Sequence, residues 1–309
     1  MIRPLLTLVL LFAMLIAKAQ LTDTVYVQVD GARLHAVLSK PVGVAHPPLA
    51  LIIAGSGPTD LNGNQTMMQN NSLCYLSDAL LANNIATLRF DKRGIAKSSY
   101  AAFKEADLTI DRYAKDVKDL IAYTQRRGFK DIYVIGHSEG ALLGLIALQE
   151  IQVKGFVSLC GAGNSADVIL KKQLKPKLPT AIYDEVEGKI DSLKNKQLVN
   201  TVPPYLYSLF RPSVQPYLIS WFKYKPSELI RQCPGAKLII QAEKDLQIEM
   251  EEARLLQSAA NEAELVVIKQ MNHVLKTISG DMQANVAAYT NPNLPVNTEL
   301  VNCIVEFIK

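Results

Sequence analysis

Six short apolar runs, rich in β-branched residues, recur along the chain at residues 49–54, 85–90, 132–135, 155–159, 238–242 and 265–268. Helix-length stretches lie between or after them at 72–82, 111–125, 141–150, 249–259 and 298–308. Apolar runs of this length without polar alternation suit strands buried on both faces. Strands that alternate with helices at this spacing pair in parallel, so the chain is constrained to an α/β fold: a mostly parallel sheet with helices on both faces. Ahead of this pattern, residues 24–30 alternate apolar and polar, Gly31 marks a turn and residues 33–39 resume a strand, which reads as a β-hairpin.

One interval breaks the rhythm. Residues 164–233 hold no convincing strand, are rich in Lys, Leu and Tyr, and are punctuated by Pro203, Pro204, Pro212, Pro216 and Pro226. They read as a helical cap inserted into a core made of residues 20–163 and 234–309. Neither an internal repeat nor a low-complexity tract is present. At the N-terminus, Arg3 precedes an uncharged apolar stretch from Pro4 to Ala17, and Ala17-Lys18-Ala19 supplies a small-x-small site. Residues 1–19 are therefore expected to be a signal peptide cut after Ala19, with the mature protein periplasmic or secreted. The stretch is shorter than the roughly 20 residues of a spanning helix, so no permanent membrane anchor is expected.

Loss of Arg3 and Lys18 with that leader takes the formal net charge from +4 to +2. Such a balance argues against nucleic acid as a partner, and the Lys-rich stretch 171–177 reads better as a solvated helix end or loop. The four cysteines, Cys74, Cys160, Cys233 and Cys303, allow one or two disulfides in an exported chain, but Cys160 and Cys303 lie in apolar segments that suit buried free thiols equally well. No Cys-x-x-Cys pair or Cys/His cluster points to a structural metal. The stretch Asp60-Leu61-Asn62-Gly63-Asn64 hints at a calcium loop, yet glycine is not at the sixth position and Asn71 stands where a bidentate glutamate is needed.

Gly136-His137-Ser138-Glu139-Gly140 fits G-x-S-x-G. Alone this is a weak pattern. Here it follows the run at 132–135 and precedes an apolar helical stretch, and a sharp strand-to-helix turn would push the Ser138 hydroxyl out at the top of a sheet. A serine nucleophile needs a base, and the base needs an acid to orient it. Of the four histidines, His35 lies in the hairpin, His46 in a proline-flanked loop, and His137 inside the turn with its side chain directed away from the hydroxyl. His273 remains, directly after the last strand-like run. The run at 238–242 ends in Glu243-Lys244-Asp245, at the strand edge that carries sites in open α/β sheets. Asp245, two residues into the loop, is the preferred acid and Glu243 the fallback. An oxyanion would be held by the backbone N–H of Glu139, at a helix start, and by a second donor in Ala54-Gly55-Ser56-Gly57-Pro58, placed at Ser56 with Gly57 as the alternative.

With these residues on view, the chain resembles the α/β-hydrolase superfamily, in particular bacterial acyl hydrolases akin to serine aminopeptidases and prolyl-oligopeptidase-type esterases. Three motifs carry the resemblance in order: Gly55-Ser56-Gly57-Pro58-Thr59-Asp60, then the stretch from Arg89 to Ser98 (Arg-Phe-Asp-Lys-Arg-Gly-Ile-Ala-Lys-Ser), then Gly136 to Gly140. The resemblance implies an eight-stranded sheet, hydrolysis through an acyl-enzyme and no cofactor. Ala96 and Ala141 depart from it, standing where glycines are usual. Arg89, Asp91 and Arg93 read more readily as braces for neighbouring loops than as substrate contacts. The aromatic residues of the cap, among them Tyr205, Tyr207, Phe210, Tyr217, Trp221 and Phe222, suit an acyl pocket and an ordinary cap core equally.

The expected function is hydrolysis of a small-molecule carboxylic ester, with Ser138, Asp245 and His273 catalytic and with neither metal nor cofactor. Two alternatives stand beside it, one within enzymes and one from another class. A peptidase would need a cap carboxylate to hold the substrate amine, and Glu185 and Glu187 are candidates by location; a non-catalytic binding protein on the same scaffold would not need the intact Ser, Asp and His. The natural substrate and the oligomeric state are not encoded in these motifs.

Overall fold

The computed structural model describes residues 20–99 and 102–309. The leader expected over residues 1–19 lies outside the described residues. The hairpin comprises β1 (Gln20–Val29) and β2 (Ala32–Pro41), turned at Gly31 with φ +68°. β3 (Leu49–Ile53), α1 (Ser72–Ala82), β4 (Ala86–Phe90), α2 (Ile110–Arg126), β5 (Ile132–His137), α3 (Glu139–Ala147) and β6 (Gly155–Leu159) follow.

The eight strands lie in one sheet in the order β1-β2-β4-β3-β5-β6, closed by β7 (Ala236–Ala242) and β8 (Glu264–Ile268). β2 runs antiparallel to both β1 and β4, and every other pair is parallel. The strand order reverses at β3, whose neighbours β4 and β5 lie on opposite sides. Chains leaving β3 and β5 diverge from such a point and open a crevice at the carboxyl edge of the sheet.

Side chains alternate between two cores, as the pleat requires. Leu49, Leu51 and Ile53 pack with α2 and α3 on one face, through Val117, Leu120, Leu143 and Leu145. Ala50 and Ile52 pack on the other with α1 and α11 (Thr298–Ile308), through Leu73, Leu76, Leu300 and Ile304. On the first face α9 (Met250–Ala259) adds Ala253 and Leu256.

Between β6 and β7 the chain forms α4 (Ala166–Leu174), α5 (Thr180–Lys194), α6 (Tyr207–Phe210), α7 (Gln215–Phe222) and α8 (Pro226–Gln232). Val186, Ile190, Leu193, Phe210, Leu218 and Phe222 make a separate core there. Its prolines open helices rather than interrupt them: Pro212 begins a short 3-10 turn, Pro216 lies in the first turn of α7 and Pro226 starts α8. Ile230 of α8 and the following Cys233 join the sheet-side core instead.

One local feature differs from the sequence reading, and one settles an alternative it left open. A further helix, α10 (Met282–Ala288), begins at Asp281, whose carboxylate accepts the Ala284 N–H at 3.0 Å. It buries only Asn285 and Ala288, so no apolar stripe marks it in the sequence. All four cysteines are free thiols.

Candidate active site

The predicted site residues converge on the carboxyl edge of the sheet. Ser138 joins β5 to α3 with φ +54° and ψ −120°, a conformation that L-residues rarely adopt and that the tight turn imposes. The glycines beside it are there for space. A Cβ at Gly136 would lie 2.4 Å from the Gly140 carbonyl oxygen, and one at Gly140 would lie 2.3 Å from the Ile53 carbonyl oxygen in β3. The turn can thus press against the central strand only with glycine at both positions.

His273 and Asp245 meet across the loops after β8 and β7. His273 Nδ1 and Asp245 Oδ2 are 2.7 Å apart, with both side chains almost wholly buried. The other carboxylate oxygen, Oδ1, accepts the backbone N–H groups of Gln247 at 2.7 Å and Ile248 at 2.9 Å. Burial alone would raise the Asp245 pKa. The facing His273 and these N–H donors outweigh it and hold the carboxyl below its ordinary value. Glu243, the fallback acid, is exposed and accepts the Gln270 N–H instead.

The two loops are locked together. The Lys244 N–H donates to the Met271 carbonyl at 2.9 Å, and Asn285 of α10 donates to the Lys244 carbonyl at 2.8 Å while accepting from Asn272. His137 adds a third tie: its Nε2 is 2.8 Å from the His273 carbonyl oxygen. Burial first, then the nearby His273, pushes the His137 pKa down to about 3, so its ring is neutral and Nε2–H is the donor. Ser138 and His273 line one cleft, together with Ser56 of the loop after β3.

That loop approaches Ser138 closely, since a Cβ at Gly55 would lie 3.2 Å from the Ser138 Cβ. Thr59 Oγ1 donates to the Ser56 carbonyl at 2.7 Å. Asp60 Oδ1 accepts the N–H groups of Asn62 and Asn64 at 2.8 and 2.9 Å and so holds the turn. Arg89, Asp91 and Arg93 act as braces. Arg89 donates to Asn62, Asp91 accepts the Leu61 N–H at 2.8 Å and pairs with His35 at 2.7 Å, and Arg93 clasps Asp116 with two bonds. Ala96 adopts φ +44°, which shows why a glycine would be at ease there.

One buried lysine escaped the sequence reading, and a cysteine read only as a buried thiol has company that the sequence did not show. Lys92 donates to the Gly55 carbonyl at 2.6 Å and to the Glu139 carboxylate at 3.0 Å, and the Tyr217 hydroxyl of α7 bonds the other Glu139 oxygen. Cys160, directly after β6 with φ +51°, lies with Asp245 and His273 in a trio whose ligand atoms are within 4.8 Å of one another. Burial, then the Asp245 charge, holds its thiol well above the ordinary value, so it is a neutral thiol. Its position after the strand preceding Asn164 was the only signal available.

A cavity of about 420 Å³ opens from Ser138 toward the helices above. Leu142 and Ile248 line it from below, and Ile169, Leu170, Leu209, Leu218 and Trp221 from above, with Ser56 and Gly57 at its inner end. Glu185 and Glu187 do not line it. Glu185 is engaged with Tyr205 and Lys189, and Glu187 with Tyr183 and Lys171. Among the described residues no helix is long and apolar enough to cross a membrane.

Known proteins resemble this chain in sequence and fold. Esterase EstD of Thermotoga maritima is 22% identical over 257 residues, which cover 81% of this chain and 59% of that protein, so the chain spans under two thirds of its relative. Est1E of Butyrivibrio proteoclasticus, solved with ferulic acid bound, superposes with a TM-score of 0.61 at 18% identity over 91% of this chain and 98% of that one. The Pyrococcus furiosus esterase Pf2001 gives a TM-score of 0.58 at 16% identity over 93% and 91%. Residues 51–287, well over half the chain, match the sequence profile of the alpha/beta hydrolase family, and with the eight-stranded sheet and its turn at Ser138 the chain belongs to that family.

Proposed function

We propose that the protein is a serine hydrolase of carboxylic esters that works through an acyl-enzyme. The observation that carries this reading is the meeting of three groups from separate strands: Ser138 on a strained turn, His273 in the same cleft, and buried Asp245 at 2.7 Å from His273. Ser138 Oγ attacks the acyl carbon as its proton passes to His273 Nε2. The negative charge gathers on the former carbonyl oxygen, between the N–H groups of Glu139 and Ser56. His273 then protonates the leaving alcohol, the carbon–oxygen bond breaks, and the acyl group stays on Ser138. Water enters, gives a proton to His273 and attacks the acyl carbon, and Ser138 recovers its proton as the acid leaves.

The cavity's lining favours an apolar acyl group, because its walls offer aliphatic and aromatic surface and its one guanidinium, Arg211, is already paired with Glu105. The mature chain is proposed to begin at Gln20 after export, and N-terminal sequencing of protein recovered outside the cytoplasm tests this; a chain that starts at Met1 refutes it. For the chemistry, Ser138→Ala should remove hydrolysis of p-nitrophenyl butyrate by at least about a thousandfold while the melting temperature holds. A fluorophosphonate should label wild type at Ser138 and leave the variant unlabelled. Retained turnover in the variant would refute the assignment.

A further inference from the structure

Lys92 is almost completely buried, and its ammonium touches both halves of the oxyanion site assigned above. On one side it holds the Gly55 carbonyl oxygen at 2.6 Å. A peptide unit is planar and trans, so the N–H on the far side of that bond, which belongs to Ser56, points opposite to the Gly55 carbonyl. An ammonium that fixes the carbonyl therefore fixes the direction of the Ser56 N–H. On the other side it holds the Glu139 carboxylate at 3.0 Å, and Glu139 supplies the second N–H from the first turn of α3. The Tyr217 hydroxyl bonds the remaining Glu139 oxygen from the helices above.

Stability alone is a weak reason to keep such a pair. Burying two charges costs solvation that their attraction only about repays, and apolar residues of similar volume often serve as well. Oxyanion stabilisation is different, because it depends on donors that are already aimed before charge develops. We infer that Lys92 is the positioning residue of the oxyanion site, with one ammonium setting the direction of the Ser56 N–H through Gly55 and seating the Glu139 N–H through its side chain. This rests on the reading of Ser138 as nucleophile.

The test uses the full enzyme carrying Lys92→Met together with Glu139→Gln, which removes both charges and leaves neither alone in the interior. On p-nitrophenyl butyrate, kcat should fall about 100-fold with KM within about threefold, as expected when donors to a developing charge are lost. A trifluoromethyl ketone, whose adduct with Ser138 carries the same oxyanion, should bind more weakly by a similar factor. A merely structural role would not move these two quantities together. Glu139→Gln alone keeps the Lys92 hold on Gly55 and should lose about threefold to tenfold in both. If the double variant does not fold, this single variant carries the test.

A folded double variant with kcat within about threefold of wild type would overturn the role of Lys92, as would a slow variant that binds the ketone unchanged. If the fallback single variant is used, an unchanged ketone affinity would overturn it equally. Failure of the hydrolase reading looks different: wild type would then hydrolyse no ester and take no fluorophosphonate at Ser138, and both readings would fall. An active wild type beside an unaffected double variant rejects Lys92 alone.

Discussion

Every residue of β3 and β4 is buried, and the side chains of β3 alternate between the two cores of the sheet. The helices from α4 to α7 instead gather around a small core of their own, headed by Val186, Ile190, Phe210 and Phe222. They reach the sheet half through the aromatic rings of Tyr217 and Trp221 and through isolated polar contacts: Arg211 to Glu105, Ser220 to the Ile110 N–H, Gln173 to the Gln247 carbonyl and Lys172 to Glu252. The difference assigns labour. Groups that must be placed to a fraction of an ångström hang from strands that cannot shift without disturbing a close-packed interior. The upper wall that meets the acyl group belongs to a unit that can vary away from Tyr217, whose hydroxyl bonds the Glu139 carboxylate.

The comparison breaks hardest at the sheet edge. Asp245→Asn keeps the size of the side chain but removes the charge that fixes the His273 tautomer, so kcat on p-nitrophenyl butyrate should drop by about 10³- to 10⁴-fold. A loss under tenfold would mean that the acid lies elsewhere. Gly140→Ala attacks the same edge through packing, since the added methyl would lie 2.3 Å from the Ile53 carbonyl oxygen and backbone has little room to yield. It should cost on the order of 3 kcal/mol by denaturant unfolding. An unchanged midpoint would show that α3 can lift away from β3, against the rigidity argued for this half.

The junction between the halves gives the next effect. Glu252 of α9 is buried and accepts the N–H groups of Gly163 and Asn164 at 3.1 and 2.8 Å, where the chain leaves the sheet, and pairs with Lys172 of α4 at 2.8 Å. Burial would raise its pKa, but the bonds from Lys172 and Asn164 prevail and lower it. A carboxyl lowered in the folded state stabilises fully above its ordinary value of 4.5, and that stability is lost as pH falls through the folded value. Glu252→Gln should therefore cost about 1–3 kcal/mol at pH 7, and the gap to wild type should close on acidification below the ordinary value. Melts at pH 7 and in the acid range would show it. A gap that widens toward acid would refute the ionised clasp.

Much of this division was legible before any coordinates. The two cores follow from apolar runs too short for helices, and the site from a motif whose strand and helix flanks are local in sequence. Ser138, Asp245 and His273 stood out because each follows a strand-like run. Lys92 did not, because a lysine reads as a surface charge until tertiary packing encloses it. His137 could be removed as a base but not recognised as a tie to the His273 carbonyl, because that bond spans 136 residues. α10 left no periodic trace, although its Asn285 links the acid and histidine loops. Nor could composition tell that Ile230 and Cys233 pack under the sheet side, since an apolar residue in a helix does not announce which of two cores will take it.

The smallest effect is the sharpest probe of the upper half. Leu209 of α6 lines the cavity from above and is only partly buried, so a larger side chain there can grow into the cavity rather than into a packed core. Leu209→Trp removes space without touching the sheet edge, and the two halves should then respond differently to it. Rates on p-nitrophenyl acetate should stay within about threefold of wild type, because Ser138 and its partners are undisturbed. The ratio of kcat/KM for the hexanoate to that for the acetate should fall about tenfold, the scale on which a hydrophobic pocket discriminates a methylene or two. The melting temperature should hold, since α6 is four residues long and contributes only Phe210 fully to its own core. An equal loss on both esters would mean that the upper helices help to set the geometry at Ser138, and the separation of labour between sheet and cap would have to be given up.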